Sequence, residues 1–342
     1  MHSATFETFK VAFQIIFAIL SFLINSFLIY LIINKSTKRM GNYRHLMIYF
    51  CCFSIFFSTL DVIVRPIMHS HGSATYMMMD LRERWIPKWI GVLLVCGMCG
   101  CFGTVIYGIA IHFIYRYFAL ERSGRLRYFQ VQYLPIWFSI PLLGGVVWGV
   151  VSYYLLPMSP VFSQYISSTL SESFGMDINH TVYIGAFLVV PTENGQTVYN
   201  WECGVGFLCY LIIMSIPLSI VMFVGIQTYG KIKELPASKS GLSLQWQLYK
   251  ALVAQTLIPF FLLFLPFAII FICPFLRIDC GFVTTSSFFV YALYPVVDPL
   301  PNIFYIAAYR KSVTALLTWE RCKRAKVHMA PDSEVSREAV SF

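Results

Sequence analysis

Charge is what this 342-residue sequence has least of: Asp, Glu, Lys and Arg together make up 12% of it, and only 16 positions are acidic. Soluble domains carry about a quarter charged residues, so a chain that is 58% hydrophobic cannot clothe itself in a water-facing surface. Catalytic signatures are missing as well. There is no His-Glu-x-x-His, no Gly-x-Ser-x-Gly and no Walker loop, and the two aspartates in apolar stretches lack the glycine pattern of aspartyl intramembrane proteases. The sequence is therefore read as non-enzymatic, with no metal and no cofactor. Internal repeats, low-complexity linkers and soluble modules are also lacking, so residues 1–342 form one domain.

What the chain does have is long apolar runs. No residue is charged between Lys10 and Lys35, Lys88 and Arg116, Glu202 and Lys231, or Lys250 and Arg277. A helix needs about 20 residues to cross the hydrocarbon core, and each of these runs is long enough. Leu46 to Met68 is broken only by Asp61 and Arg65, Tyr133 to Pro157 is charge-free, and Cys280 to Ile306 holds only Asp298. The expected fold is an all-α membrane protein, a seven-transmembrane helix bundle with spans about 11–33, 46–68, 89–115, 133–157, 205–228, 250–274 and 281–306. The first run has no cleavage-type ending and is read as a retained span.

Lys and Arg accumulate in cytoplasmic loops. The segments 34–45, 116–132, 229–250 and 307–342 hold 19 of them against 5 in the alternate set. The N-terminus is thus expected outside and the C-terminus in the cytoplasm. The formal charge of +9 is mostly a cytoplasmic-face charge facing anionic lipid and is no evidence for nucleic acid. Asn179-His180-Thr181 is a glycosylation sequon in the outer 158–204 loop, which has no Lys or Arg. Within that loop, Tyr183 to Val190 is a candidate strand. After Ala308, Val313, Leu316, Leu317 and Trp319 have amphipathic helical spacing, predicting a short helix on the inner leaflet. Residues 325–342 read as a disordered tail.

Among ten cysteines, those deep in spans serve packing. Cys203 and Cys280 are expected outside, with Cys96 near the outer end of the third span, so Cys203 has two candidate disulfide partners, Cys96 and Cys280. Cys322, among Arg321, Lys323 and Arg324, is a palmitoylation candidate or a plain thiol.

Ionisable groups inside hydrocarbon are costly and mark either locks or functional contacts. Asp61 and Arg65 stand one helical turn apart and offer an ion pair that locks the second span or meets a ligand; His69 follows them as a third ligand-pocket candidate. Asp298 is followed by Pro299, which frees a backbone carbonyl and makes a polar hinge. Pro259 and Pro266 add breaks to the sixth span. Arg116, flanked by Tyr115 and Tyr117, ends the third.

Taken together, the stretches His112 to Leu120, Gln247 to Pro259, Tyr294 to Pro299 running on to Tyr309-Arg310, and Pro66 to Gly72 resemble the nematode serpentine chemoreceptors of the Str type and their Srj-like relatives, which are G-protein-coupled receptors. The resemblance spans most of the chain. It implies a chemosensory receptor that binds a small-molecule odorant or soluble chemical in the outer half of the bundle and engages a heterotrimeric G protein at its inner ends. It implies residence in the plasma membrane, in the family's setting of a sensory-neuron cilium. Arg116 would face the G protein, with Asp298-Pro299 as the seventh-helix hinge. Two positions depart from the general receptor pattern: Tyr115 replaces the acid before the arginine, and Asn302 stands where a tyrosine is usual. A secondary transporter is the rival reading; paired broken helices in an internal repeat would mark it, and none is visible.

Overall fold

The computed structural model describes residues 4–82, 84–121, 124–191, 197–234, 239–276 and 281–328. Long helices dominate. The first, α1 (Ala4–Lys35), and α2 (Tyr43–Val64) pack side by side, and α3 (Lys88–Leu120), α4 (Leu134–Leu155) and α6 (Trp201–Glu234) complete one half of the bundle. Between α4 and α6 stands the shorter α5 (Pro160–Phe174). The sixth crossing is α7 (Lys239–Pro259), a π turn over Phe260–Phe264, and α8 (Leu265–Leu276). The seventh is α9 (Gly281–Val297) followed by α10 (Leu300–Tyr305), after which α11 (Ala307–His328) leaves the bundle. Among the described residues, six helical stretches are long and apolar enough to cross a membrane; the seventh crossing is cut in two by Asp298-Pro299.

The second crossing ends earlier than its apolar run. Arg65 adopts a left-handed conformation (φ 49°) that closes α2, and Pro66 cannot continue a helix. Residues expected to lie in the span instead form a strand, β1 (Ile67–His71), antiparallel to β2 (Ala74–Asp80), which in turn pairs with β3 (Thr181–Phe187). The register sets Met68 opposite Met77, and Met77 opposite Ile184. The expected strand in the 158–204 loop is present as β3, with a small hairpin of β4 (Val189–Pro191) and β5 (Thr197–Tyr199) after it. Helix α5 was not expected. Ser159 caps it, accepting a hydrogen bond from the Phe162 amide at 3.2 Å, and Gly175 ends it at φ 59°, a left-handed stop that glycine makes without strain.

The three-stranded sheet lies across one end of the bundle, with α5 on its far side. The faces differ in partner: Met68, Met77 and Met79 join the main helical core, while Tyr76, Met78, Tyr183 and Phe187 meet Phe162, Ile166 and Leu170 of α5 in a core of their own. At this capped end Trp85, Trp89, Tyr154, Tyr199 and Trp201 are exposed, as aromatic residues are at a membrane–water interface.

Helices α3 and α4 make the closest contact. A Cβ on Gly100 would come within 2.6 Å of the Gly145 carbonyl oxygen, and one on Gly103 within 2.8 Å of that of Gly144. Small residues permit this approach of membrane helices, and α3 becomes the most enclosed of the six.

Candidate functional site

At the end away from the sheet, Arg116 is 3% exposed. Its guanidinium carbon lies 3.5 Å above the centre of the Tyr43 ring and 5.8 Å from that of Tyr115. Nη1 donates to Gln245 Oε1 at 3.5 Å, while Nε and Nη2 have no hydrogen-bond partner among the described residues. The arginine expected at the protein–cytosol boundary is thus folded inward onto α2. The acid that Tyr115 replaces is not replaced in function by Tyr115. That side chain turns to the Tyr43 backbone, whose amide donates to its hydroxyl at 3.0 Å, and stacks edge-on against Phe129. Tyr43 does the holding, and its own hydroxyl is fixed at 3.0 Å from His112 Nδ1. Tyr117 points elsewhere, its ring 4.1 Å below the ammonium of Lys231; Glu121 joins that lysine and Arg125, each at 3.3 Å. Neither Tyr43 nor His112 was singled out by its own spacing in the sequence.

The prolines act as their chemistry dictates. Pro299 lacks the N–H that would bond to the Pro295 carbonyl, and Asn25 of α1 donates its amide to that oxygen at 3.0 Å. Beyond it, Gln255 of α7 donates to the Asp298 carbonyl at 3.3 Å. Freed carbonyls are thereby satisfied by neighbouring helices rather than by the helix that lost them. Asp298 itself is 3% exposed. In the sixth crossing, Pro259 precedes the π turn and Pro266 follows it, a local unwinding of the kind that recurs at functional sites.

None of the three ligand-pocket candidates lines the small cavity under the sheet. Asp61 is buried against α1, accepting from Gln14 Nε2 at 3.2 Å. Arg65, beyond the end of α2, is in none of the ion pairs among the described residues, so the one-turn pair expected with Asp61 is not made. His69 packs edge-on against Tyr76 and Phe174 in the sheet's outer core. Burial raises the pKa of the Tyr76 and Tyr183 hydroxyls there above the ordinary tyrosine value, so these two hydroxyls stay protonated. Between sheet and helices lies a cavity of about 20 Å3 lined by residues that include Met68, Met77, Cys99, Tyr210 and Phe267.

Cys96 and Cys203 are free, buried thiols, so the first candidate disulfide is not formed; Cys280 lies outside the described residues, as does the side chain of Cys322. Asn179 is exposed on a one-turn 3-10 helix (Ile178–His180) that Asp177 caps through the Asn179 amide at 2.9 Å.

A bundle with a sheet over one end, a buried arginine at the other and proline-broken sixth and seventh crossings defines a multi-pass membrane protein of the seven-helix receptor type. Residues 10–314 match the Str family of serpentine type seven-transmembrane GPCR chemoreceptors, and the chain belongs to that family. It is 31% identical over 301 residues to serpentine receptor class r-10 of Caenorhabditis briggsae, covering 86% of each chain. The Caenorhabditis elegans protein of that name is 30% identical over 302 residues, again 86% of each, and G-protein coupled receptor str-217 of the same nematode is 28% identical over 291 residues, 84% of this chain and 83% of that one. Membership makes it a receptor rather than an enzyme, with a G protein and a small molecule as partners in general.

Proposed function

We propose that this receptor is chemosensory, binds a small molecule within the capped half of the bundle, and activates a heterotrimeric G protein through the end at which Arg116 lies. The capped end faces outside and the C-terminus faces the cytoplasm. The observation that carries the reading is the burial of Arg116 on Tyr43: a charge kept from solvent by an aromatic face rather than by a carboxylate is held in a state that outward movement of the helices would release. Broken sixth and seventh crossings supply elements with two packings, and a ligand favours whichever it binds better. The distribution of Lys and Arg supports the orientation. The receptor resides in the plasma membrane, with the sensory cilium as its site by kinship, and Asn179 carries a glycan.

A second-messenger assay in cells co-expressing this chain with a set of G proteins, screened against small volatile and water-soluble compounds, tests the proposal. A ligand-dependent response that Arg116→Ala abolishes at equal surface density is expected. A response that survives the substitution removes Arg116 from coupling, and silence of a surface-expressed receptor across the panel counts against the chemosensory reading.

A further inference from the structure

A second cavity lies away from the sheet. It lies between α2, α3 and α4, has a volume of about 920 Å3 and opens sideways. Its rim residues Phe56, Leu93, Leu142 and Val146 are each at least half exposed, and they sit on helices that cross the membrane, so the opening faces hydrocarbon. Along α4 the lining runs from Leu142 to Tyr154; at the helical rise this is about 18 Å, against roughly 15 Å for half the hydrocarbon core. The cavity is therefore about one leaflet deep, in the leaflet on the sheet's side.

Its chemistry is equally restricted. No Lys, Arg, His, Asp or Glu lines it. At the deep end Tyr49 donates its hydroxyl to the Phe138 carbonyl at 3.2 Å, and Thr104 donates to that of Gly100 at 3.3 Å, so those hydroxyls are already engaged. At the shallow end the hydroxyls of Tyr153 and Tyr154 make no hydrogen bond among the described residues. An apolar cavity does not hold water, and an empty one forfeits dispersion contacts along its whole lining. Opening onto the bilayer, it takes what the bilayer holds in solution.

The floor points the same way. Gly100 and Gly145 lack side chains because their backbones touch, and Gly149 approaches the Cys96 carbonyl, but a Cβ on Gly97 would meet nothing within 4 Å. Helix packing does not require a glycine there; the open floor of the cavity does. We propose that this cavity binds an uncharged fused-ring lipophile with a single hydroxyl head, of sterol type, lying one leaflet deep with its hydroxyl at Tyr153 and Tyr154. A phospholipid would bring a charged head to a rim with no charge to meet it, and a volume near the upper end for ligand sites suits a broad, rigid body better than one thin chain.

The site goes beyond the receptor reading and is tested without signalling. Full-length receptor in phosphatidylcholine nanodiscs is photolabelled with a diazirine-bearing cholesterol analogue and the adducts are mapped. Saturable adducts on α2–α4 are expected, displaced by unlabelled cholesterol and not by added phosphatidylcholine. Gly97→Leu, which fills the floor from below, and Val146→Trp, which fills the cavity from the opposite wall, each reduce labelling by about tenfold or more with an unchanged unfolding midpoint. Adducts indifferent to both variants, or displaced equally by phosphatidylcholine, overturn the proposal and leave ordinary boundary lipid. Cross-linking of the exposed Cys52 between receptor copies in the same nanodiscs also overturns it, by showing that a second chain covers the opening.

Discussion

Arg116 has no acid beside it in the chain, and its guanidinium rests on the face of Tyr43 at 3.5 Å, inside a shell where water is excluded. A desolvated cation–π contact is worth about 2 kcal/mol, enough to bias a two-state equilibrium by roughly thirtyfold. Tyr43→Leu is therefore expected to raise ligand-independent signalling by about that factor at most, whereas Tyr43→Phe, which keeps the ring and loses only the hydroxyl at His112 Nδ1, stays near the resting level. Basal second-messenger output, normalised to receptor at the surface, checks this; equal output from Tyr43→Leu and the parent would remove the aromatic lock. The arginine was legible in the sequence as the end of an apolar run, but its partner was not. Tyr43 is 73 positions upstream at the start of another helix, and nothing in its own neighbourhood distinguishes it from the 21 tyrosines of the chain.

Close packing of α3 on α4 rests on glycines whose roles differ by position. Gly100→Ala drives a methyl to 2.6 Å from a backbone oxygen that cannot step aside, and overpacking of this kind costs about 1–3 kcal/mol. A lowered unfolding midpoint in detergent is expected for Gly100→Ala and for Gly145→Ala, while Gly97→Ala, with open space above it and the better helix propensity of alanine, does not lower it; a uniform drop across all three would mean that contact with the facing backbone does not set the effect. The helices themselves were legible because the bilayer demands long uncharged runs and few other structures produce them. The strands were less so. Pro66 to Asp80 shows no alternation of polar and apolar residues, since β2 is covered on one face by helices and on the other by α5, and a strand buried on both faces reads as a plain apolar run. The second span was expected to continue to residue 68 because Ile67 and Met68 of β1 extend the apolar run of α2 past Pro66.

For the molecule as a whole, a ligand bound in the capped half, as proposed, would have the sheet decide what the bundle can admit. Orientation is checked by tags: an N-terminal epitope accessible on intact cells, a C-terminal one only after permeabilisation, and a glycosidase-sensitive gel shift lost in Asn179→Gln are the expected results, and a reversed pattern would put the sheet in the cytoplasm. With the sheet outside, as proposed, a ligand entering from water through it meets Met68 and Met77, which line a space of about 20 Å3 between strands and helices, room for about one water. Methionine is unbranched and adapts its shape to what it touches, so on the proposed reading the two side chains would form a deformable stopper whose volume sets the size of ligand accommodated. Met77→Ala enlarges the space from the sheet side, at some cost in stability, about 2–5 kcal/mol for a buried Met. Its expected signature is a shifted agonist range: bulkier analogues gain potency and the smallest agonist loses about tenfold, the loss of contacts worth roughly 1.4 kcal/mol. The control is Met78→Ala, on the same strand but facing α5, which carries a similar structural penalty and should leave the order of potencies intact. If both variants shift the range alike, the sheet acts only through its stability, and the ligand is selected deeper among the helices.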